Sequence, residues 1–443
     1  MHIVQHRNGE KMNILLINHY AGSPDMGMEF RPFYMAREWR KEGHQVFIIA
    51  GDYSHLRKNN PEVRRDFEKE TIDGIHYIWI KTGAYEGNGV KRALSMARFV
   101  SKLWVKAERI AKKLKPDIVI ASSTYPIDTY AAQKIAKKAH ASLIHEVHDM
   151  WPSTLTEIGG MPKYHPFVAA MQIGENSAYR NSDYVVSLAP YAEKYMLQHG
   201  LKKGRFVYIT NGIVAEDWEH PKELPQFHAE ILESFRQEDK FIVGYFGGHA
   251  LSNALDVLID LAKSFQNNKQ VVFVLVGNGV EKKKLQKRVQ KEEIDNVCFL
   301  PPISKYSIPS LTHYFDCIYI GAKDSPLYRF GVAANKIFDS MMSGKPLLYA
   351  VNSPNNFAEK YHCGISVPPD DTKAIKSGLD RLIMLTEKER EKMGENGKKA
   401  VLEHFRYSVL AKKFLDVMEH SKELPINNPA ASSKVSTPLR TRE

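Results

Sequence analysis

The densest chemical signal in the chain is Gly331-Val332-Ala333-Ala334-Asn335-Lys336-Ile337-Phe338-Asp339. Small residues let a backbone approach a ligand closely. From Asn335 the pattern reads as a short helix, closed by Gly344-Lys345-Pro346 before the apolar strand Leu347-Leu348-Tyr349-Ala350. Unbonded amides at a helix start attract phosphate. Lys336 adds a full positive charge beside them. Asp339 follows one turn later on the same face, placed to accept hydrogen bonds from ribose hydroxyls. An ordinary amphipathic helix carrying Lys336 and Asp339 as a solvated ion pair would have the same signature.

Three other loops carry chemistry. Gly247-Gly248 ends an apolar run and opens a helix, a weak phosphate signal. Gly277-Asn278-Gly279 does the same, although turn chemistry alone explains it as well. His145-Glu146-Val147-His148-Asp149-Met150-Trp151-Pro152 gathers two histidines and two acids at a strand's carboxyl end. His145 and His148 have no obvious third metal ligand, so polar contacts to a substrate are favoured over a metal site.

The elements around these loops alternate between strand and helix. Apolar runs at 13–18, 45–50, 117–121, 142–147 and 184–187 fit buried parallel strands, with a helix from about Glu29 to Lys41. After an acid- and proline-rich linker at 215–230 the pattern restarts at 241–248, 271–277, 317–320 and 347–349. Two successive β/α series predict an α/β protein with two doubly wound domains, whose ligands sit at strand carboxyl ends, here in a cleft between the domains. The expected division is an extension at 1–11, a first doubly wound domain at 12–222 and a second at 223–405. A C-terminal helix at 406–420 and a disordered tail at 421–443 complete it.

At 443 residues, 43% hydrophobic and 26% charged, the composition is that of a globular enzyme with two domains. No apolar run reaches spanning length, and Met1 to Lys11 lacks the apolar stretch of a secretory signal. Cys298, Cys317 and Cys363 have no metal-like spacing and suggest a reducing cytoplasm. The formal charge is +11, concentrated from Lys91 to Lys115, where Glu108 is the one acid. Apolar residues recur there at helical spacing, so the segment reads as a basic amphipathic helix. Its apolar face suits the core, and its one-sided charge suits an anionic membrane surface. No nucleic-acid motif accompanies the charge, and no nucleic-acid partner is expected.

Together the residues resemble the family 4 glycosyltransferases of the GT-B fold, in the WbuB-like branch of bacterial surface-polysaccharide enzymes. The resemblance runs from about Met12 to Glu419. It rests on 13–24 with Glu29-Phe30-Arg31-Pro32, on Ser54-His55-Leu56-Arg57, on 146–152, on Asn211-Gly212-Ile213 and on 335–346. It implies two Rossmann-like domains facing across a cleft. It also implies a retaining transfer of sugar from a nucleotide-sugar, UDP-linked, to a lipid-linked or glycan acceptor in O-antigen, capsule or exopolysaccharide synthesis. No cofactor or metal is implied; the nucleotide-sugar is a co-substrate. The expected location is cytoplasmic, peripheral at the inner face of the plasma membrane.

The implied roles follow residue by residue. Asp339 matches the acid that holds the ribose. Lys336 would face the diphosphate with the Asn335 amide beside it, and Gly247 and Gly248 would line the donor site. His148 would lie near the donor sugar and the reacting centre, with Asp149 touching sugar or acceptor. The loop from Gly22 would cover the diphosphate, with Arg31 adding charge. Asp339, tied to ribose, is no nucleophile, so front-side displacement through an ion pair is implied. The chain departs from the family pattern in three places. Gly331 replaces an acid, Ala333-Ala334 replaces Ser-Pro, and His249 and Asn253 stand where a cationic pair is usual. Lys336, Arg329 and Arg31 are the candidates to compensate. A nucleotide-sugar 2-epimerase of related fold and an inactive scaffold subunit are the alternative readings.

Overall fold

The computed structural model describes residues 10–27, 30–87 and 89–424. The chain forms two compact units. The first runs to Thr210 and resumes at Tyr407, and the second is Asn211–Arg406.

The first unit is built on an eight-stranded sheet. Its strands are β1 (Asn13–Ile17), β2 (Gln45–Gly51), β3 (Glu68–Ile72), β4 (Ile75–Ile80), β5 (Ile118–Ala121), β6 (Ser142–Val147), β7 (Tyr184–Ser187) and β8 (Phe206–Tyr208). They lie in the order β3-β4-β2-β1-β5-β6-β7-β8. All neighbours are parallel except β3 with β4. The β3–β4 hairpin and β8 were not expected from the sequence. β3 (Glu-Lys-Glu-Thr-Ile) is polar and largely exposed at the sheet edge, so no apolar pattern marks it. The order reverses at β1, which pairs with both β2 and β5. Ligands in such sheets bind at the strand ends beside that reversal.

The C-terminal helix Tyr407–Lys422 belongs to this first unit rather than standing apart. Tyr407 packs on Tyr34 with ring centroids 5.0 Å apart, and Phe414 packs on Trp39 at 5.2 Å. The Trp39 indole N–H donates to the Ala411 carbonyl at 3.2 Å. The helix Phe30–Lys41 that carries these aromatics begins just after residues outside the described set, where its start was expected. Residues 1–9 of the expected extension and 425–443 of the expected tail also lie outside it.

The second unit holds β9 (Phe241–Gly248), β10 (Val271–Asn278), β11 (Val297–Leu300), β12 (Cys317–Gly321), β13 (Leu347–Ala350) and β14 (Gly364–Ser366). Their order is β11-β10-β9-β12-β13-β14, and every pairing is parallel. Alternation explains the continuous apolar runs. Val272, Val274 and Val276 of β10 enter one core cluster, while Val271, Phe273 and Leu275 enter another. Both faces of the sheet are therefore covered. The unit begins at Asn211, upstream of the expected boundary at 222/223, because the linker packs into it. Trp218 and Leu224 lie against the core, and the Lys222 amide donates to the Tyr306 carbonyl at 2.8 Å.

Candidate functional site

The carboxyl end of the first sheet holds one hydrogen-bonded network. β6 carries Glu146, and His148 follows two positions later, so both side chains leave the same face. His148 Nε2 lies 2.9 Å from Ser122 Oγ and 3.1 Å from Glu146 Oε2. Ser122, at the end of β5, donates its hydroxyl to Glu146 Oε2 at 2.5 Å. A hydroxyl that donates to the carboxylate can only accept from the imidazole, so Nε2 carries the proton in this arrangement. Asn18, at the end of β1, donates to the Ser122 carbonyl at 2.7 Å and ties the strand ends together.

Arg31 is buried in this network instead of presenting charge to a donor. Its Nε donates to Glu146 Oε1 at 3.0 Å, and its other nitrogens to Glu146 and to the Ile209 and Thr210 carbonyls. The physical reason is Glu146, which is fully buried and needs a cation. Burial alone would raise its pKa, but Arg31, His148 and the Ser122 hydroxyl hold the carboxyl well below the usual carboxylate range. Gly22 is buried too, its carbonyl accepting from the Tyr77 hydroxyl at 2.7 Å. Asp149 is exposed just beyond His148. His145 takes the alternate strand face, where it bonds the Ala121 carbonyl at 3.2 Å, so it does not pair with His148 as a metal ligand. Burial pushes its pKa down to about 4.

In the second unit the helix Asn335–Met342 starts from extended Ala334 with no side-chain cap. The Ile337 amide bonds the Ala334 carbonyl at 3.0 Å, which leaves the amides of Asn335 and Lys336 as the helix-start donors without a partner inside the helix. Asn335 is exposed. Lys336 Nζ donates to Asn253 Oδ1 at 2.5 Å and lies 5.1 Å from the Tyr245 ring centre. Burial pulls the ammonium down to about 8. Lys336 and Asp339 share a helix face but form no ion pair with each other among the described residues. Asp339 instead feels Lys305, paired to Asp217 at 2.8 Å, and burial outweighs that lysine to push its carboxyl up to about 6.

Gly247 and Gly248 are exposed at the end of β9. Gly247 has φ 128° and Gly277 φ 147°. A Cβ on Gly277 would lie 1.9 Å from the Gly247 carbonyl oxygen, so the two glycine turns pack backbone to backbone. His249 is fully buried, with neither ring nitrogen bonded among the described residues. Burial holds it neutral at a pKa of about 4, so it cannot supply the missing cation. Arg329 is exposed, its guanidinium folded over Phe330 at 4.1 Å.

Sequence reasoning missed Ser122 and the part played by Asn253. Glu146 was legible, since it sits two residues before His148 on a strand. Nothing in the sequence singles out Ser122, which reaches His148 only because β5 and β6 pair.

Comparison with known proteins accounts for most of the chain. The family described as glycosyl transferase 4-like domain matches residues 27–212, and glycosyl transferases group 1 matches residues 228–400. An Escherichia coli K12 protein assigned to colanic acid biosynthesis as glycosyl transferase WcaI is 21% identical, covering 79% of this chain and 86% of its own. Two solved structures share the fold. Sucrose-phosphate synthase from Thermosynechococcus elongatus has TM-score 0.68 and 16% identity, covering 92% of this chain and 98% of that one. Anabaena Alr3699/HepE in complex with UDP has TM-score 0.64 and 15% identity, covering 92% and 100%. At such identities these two speak for the fold alone. The parallel sheets, the glycine turns and the matched families lead to one conclusion: the chain is a glycosyltransferase of family 4 with the GT-B fold.

Proposed function

We propose that this glycosyltransferase moves a sugar from a nucleotide-sugar, UDP-linked, to a lipid-linked or glycan acceptor of a bacterial surface polysaccharide, with retention at the donor carbon. The observation that carries the donor half is the second unit's cluster of Lys336, the helix-start amides and the exposed Gly248 turn. Positive charge and free amides are what a departing diphosphate requires. Asp339 sits one turn along the same helix and is the candidate for the ribose hydroxyls. In the first unit, Glu146 and Ser122 hold His148 Nε2, so that the imidazole is presented in one tautomer and one orientation to the donor sugar. Asp149 is the candidate contact to sugar or acceptor. Catalysis on this reading is positioning plus stabilisation of the leaving group during front-side departure. The polysaccharide assignment is supported by the E. coli relative, and a UDP-linked donor is in keeping with the UDP that the Anabaena neighbour of the same fold holds.

The acceptor half extends to the membrane. No described helix is long and apolar enough to cross one. The helix Val90–Leu114 buries Phe99, Leu103, Ala107 and Ile110, yet leaves Val90 77%, Val105 70%, Leu94 49% and Trp104 45% exposed. At 100° per residue these four lie opposite the buried face, with Arg98, Lys102, Lys106, Arg109 and Lys113 along one flank. An outward apolar ridge beside a basic flank suits an anionic bilayer surface.

Incubation with a panel of nucleotide-sugars, with and without membranes from a polysaccharide-producing bacterium, tests the reading. Nucleotide release that needs acceptor, with product anomers matching the donor, supports it. Donor sugar changed without acceptor would make the protein an epimerase, and neither change would make it a scaffold.

A further inference from the structure

The end of β9 and the helix Asn335–Met342 meet at Asn253, which closes the short turn Leu251–Asn253. Its Nδ2 donates to the Gly248 carbonyl at 2.7 Å, and its Oδ1 accepts from Lys336 Nζ at 2.5 Å. The Tyr245 hydroxyl donates to the same carbonyl at 2.6 Å, while its ring lies under the ammonium. Gly248, Asn253 and Lys336 therefore form one chain of hydrogen bonds that begins at the exposed glycine turn. An ammonium has three donors, and this bond uses one. No carboxylate among the described residues lies within ion-pair distance of Lys336, so its charge is not neutralised within the second unit.

We propose that Asn253 is a positioning residue for the donor diphosphate: it brings no charge itself but fixes Lys336 Nζ beside the Gly248 turn, so that one tethered lysine does the work of the usual cationic pair. The inference rests on the donor-site reading above. A lysine held at its tip has less rotamer freedom to lose when the diphosphate arrives. A neutral tether leaves the whole charge for the ligand, whereas a carboxylate tether would cancel it. The Asn253 oxygen also favours the charged form of Lys336, which burial disfavours.

The test measures binding of UDP, GDP and ADP to the full chain by calorimetry from pH 6 to 9.5, with the matching nucleosides as controls that lack the diphosphate. The groups facing Lys336 are Tyr245 from β9, whose pKa burial raises, and Asn253 from the turn. The alkaline limb of ADP binding therefore reports Lys336, because adenine, unlike uracil and guanine, has no proton to lose in that range. Asn253→Ala should weaken nucleoside diphosphate binding about tenfold, as expected for one lost charge-assisted contact, and leave nucleoside binding unchanged. Its alkaline limb should move to lower pH, and that of Asn253→Asp to higher pH. Wild-type affinity in Asn253→Ala overturns the inference. Weaker binding with unmoved limbs also overturns it, because that would make Asn253 a structural or direct contact. A wild-type protein that binds none of the three diphosphates overturns the donor-site reading, and the inference with it.

Discussion

His148 Nε2 lies 3.1 Å from Glu146 Oε2, and the opposite oxygen of that carboxylate receives Arg31. One buried acid thus divides its two oxygens between a structural cation and the imidazole proposed to face the donor sugar. The division separates two effects that mutation can tell apart. Glu146→Gln strands Arg31 as an uncompensated buried charge, which costs roughly 3–5 kcal/mol in stability. His148→Ala removes a side chain at the network's edge and leaves the Arg31–Glu146 pair intact. We expect near-wild-type melting for His148→Ala with turnover reduced on the order of 10²–10³-fold. Thermal unfolding and steady-state kinetics of both variants check this, and a His148→Ala enzyme with full turnover would place the reacting centre elsewhere.

Lys336→Ala should cripple the chemical step. Loss of one charge-assisted contact to a leaving group costs roughly 2–4 kcal/mol in activation free energy. Turnover close to wild type at saturating donor would reduce Lys336 to a structural lysine.

Asp339→Asn should weaken donor binding and stabilise the fold at neutral pH. The amide keeps the shape but loses two strong acceptors for ribose. The carboxylate is held at a raised pKa by burial, so ionising it at neutral pH opposes folding, by an amount on the order of 1–3 kcal/mol. A higher melting temperature with lower nucleotide affinity is the expected pair of results. Unchanged affinity, measured by calorimetry, would contradict the ribose assignment.

Nucleotide affinity should be highest between about pH 6 and pH 8. Below the lower limit Asp339 takes up a proton and loses its charge-assisted acceptors. Above the upper limit Lys336 gives up its proton and its charge. Asp339→Asn should shrink the acid limb to the part that comes from protonation of the nucleotide's own terminal phosphate, and leave the alkaline limb unchanged. A pH-independent affinity across this range would mean that neither group touches the ligand.

The Val90–Leu114 helix should bind anionic vesicles in a manner that salt weakens. Each lysine or arginine near such a surface contributes about 1 kcal/mol. Replacing Lys102, Lys106, Arg109 and Lys113 by glutamine should release the protein from vesicles, and Trp104→Ala with Val105→Ser should weaken binding at high salt as well. Donor binding should survive both changes, since the proposed nucleotide site is in the second unit. Equal co-sedimentation of wild type and variants would leave this face merely solvated.

The fold was legible where burial writes a pattern. Strands covered on both faces must be apolar throughout, so β1, β2, β9 and β10 announced themselves, and the glycine turns followed their ends. The helix at Asn335 was legible because small residues and a lysine precede an apolar stripe. Hidden were a strand whose residues face water and the docking of the expected C-terminal helix on a partner far along the chain. β3 is a charged edge strand, and Tyr407–Lys422 joins the first unit only because Trp39 and Tyr34 lie ready to receive it. The same division runs through the site. Local sequence determined which residues carry ionisable groups at a strand end or helix start: His148, Lys336 and Asp339. Tertiary structure alone decided what each charged and polar candidate touches. It turned Arg31 inward to balance Glu146, buried the His249 ring as a neutral group, and set Asn253 against Lys336. Hydrogen bonding and desolvation depend on neighbours that the chain brings together only when it folds.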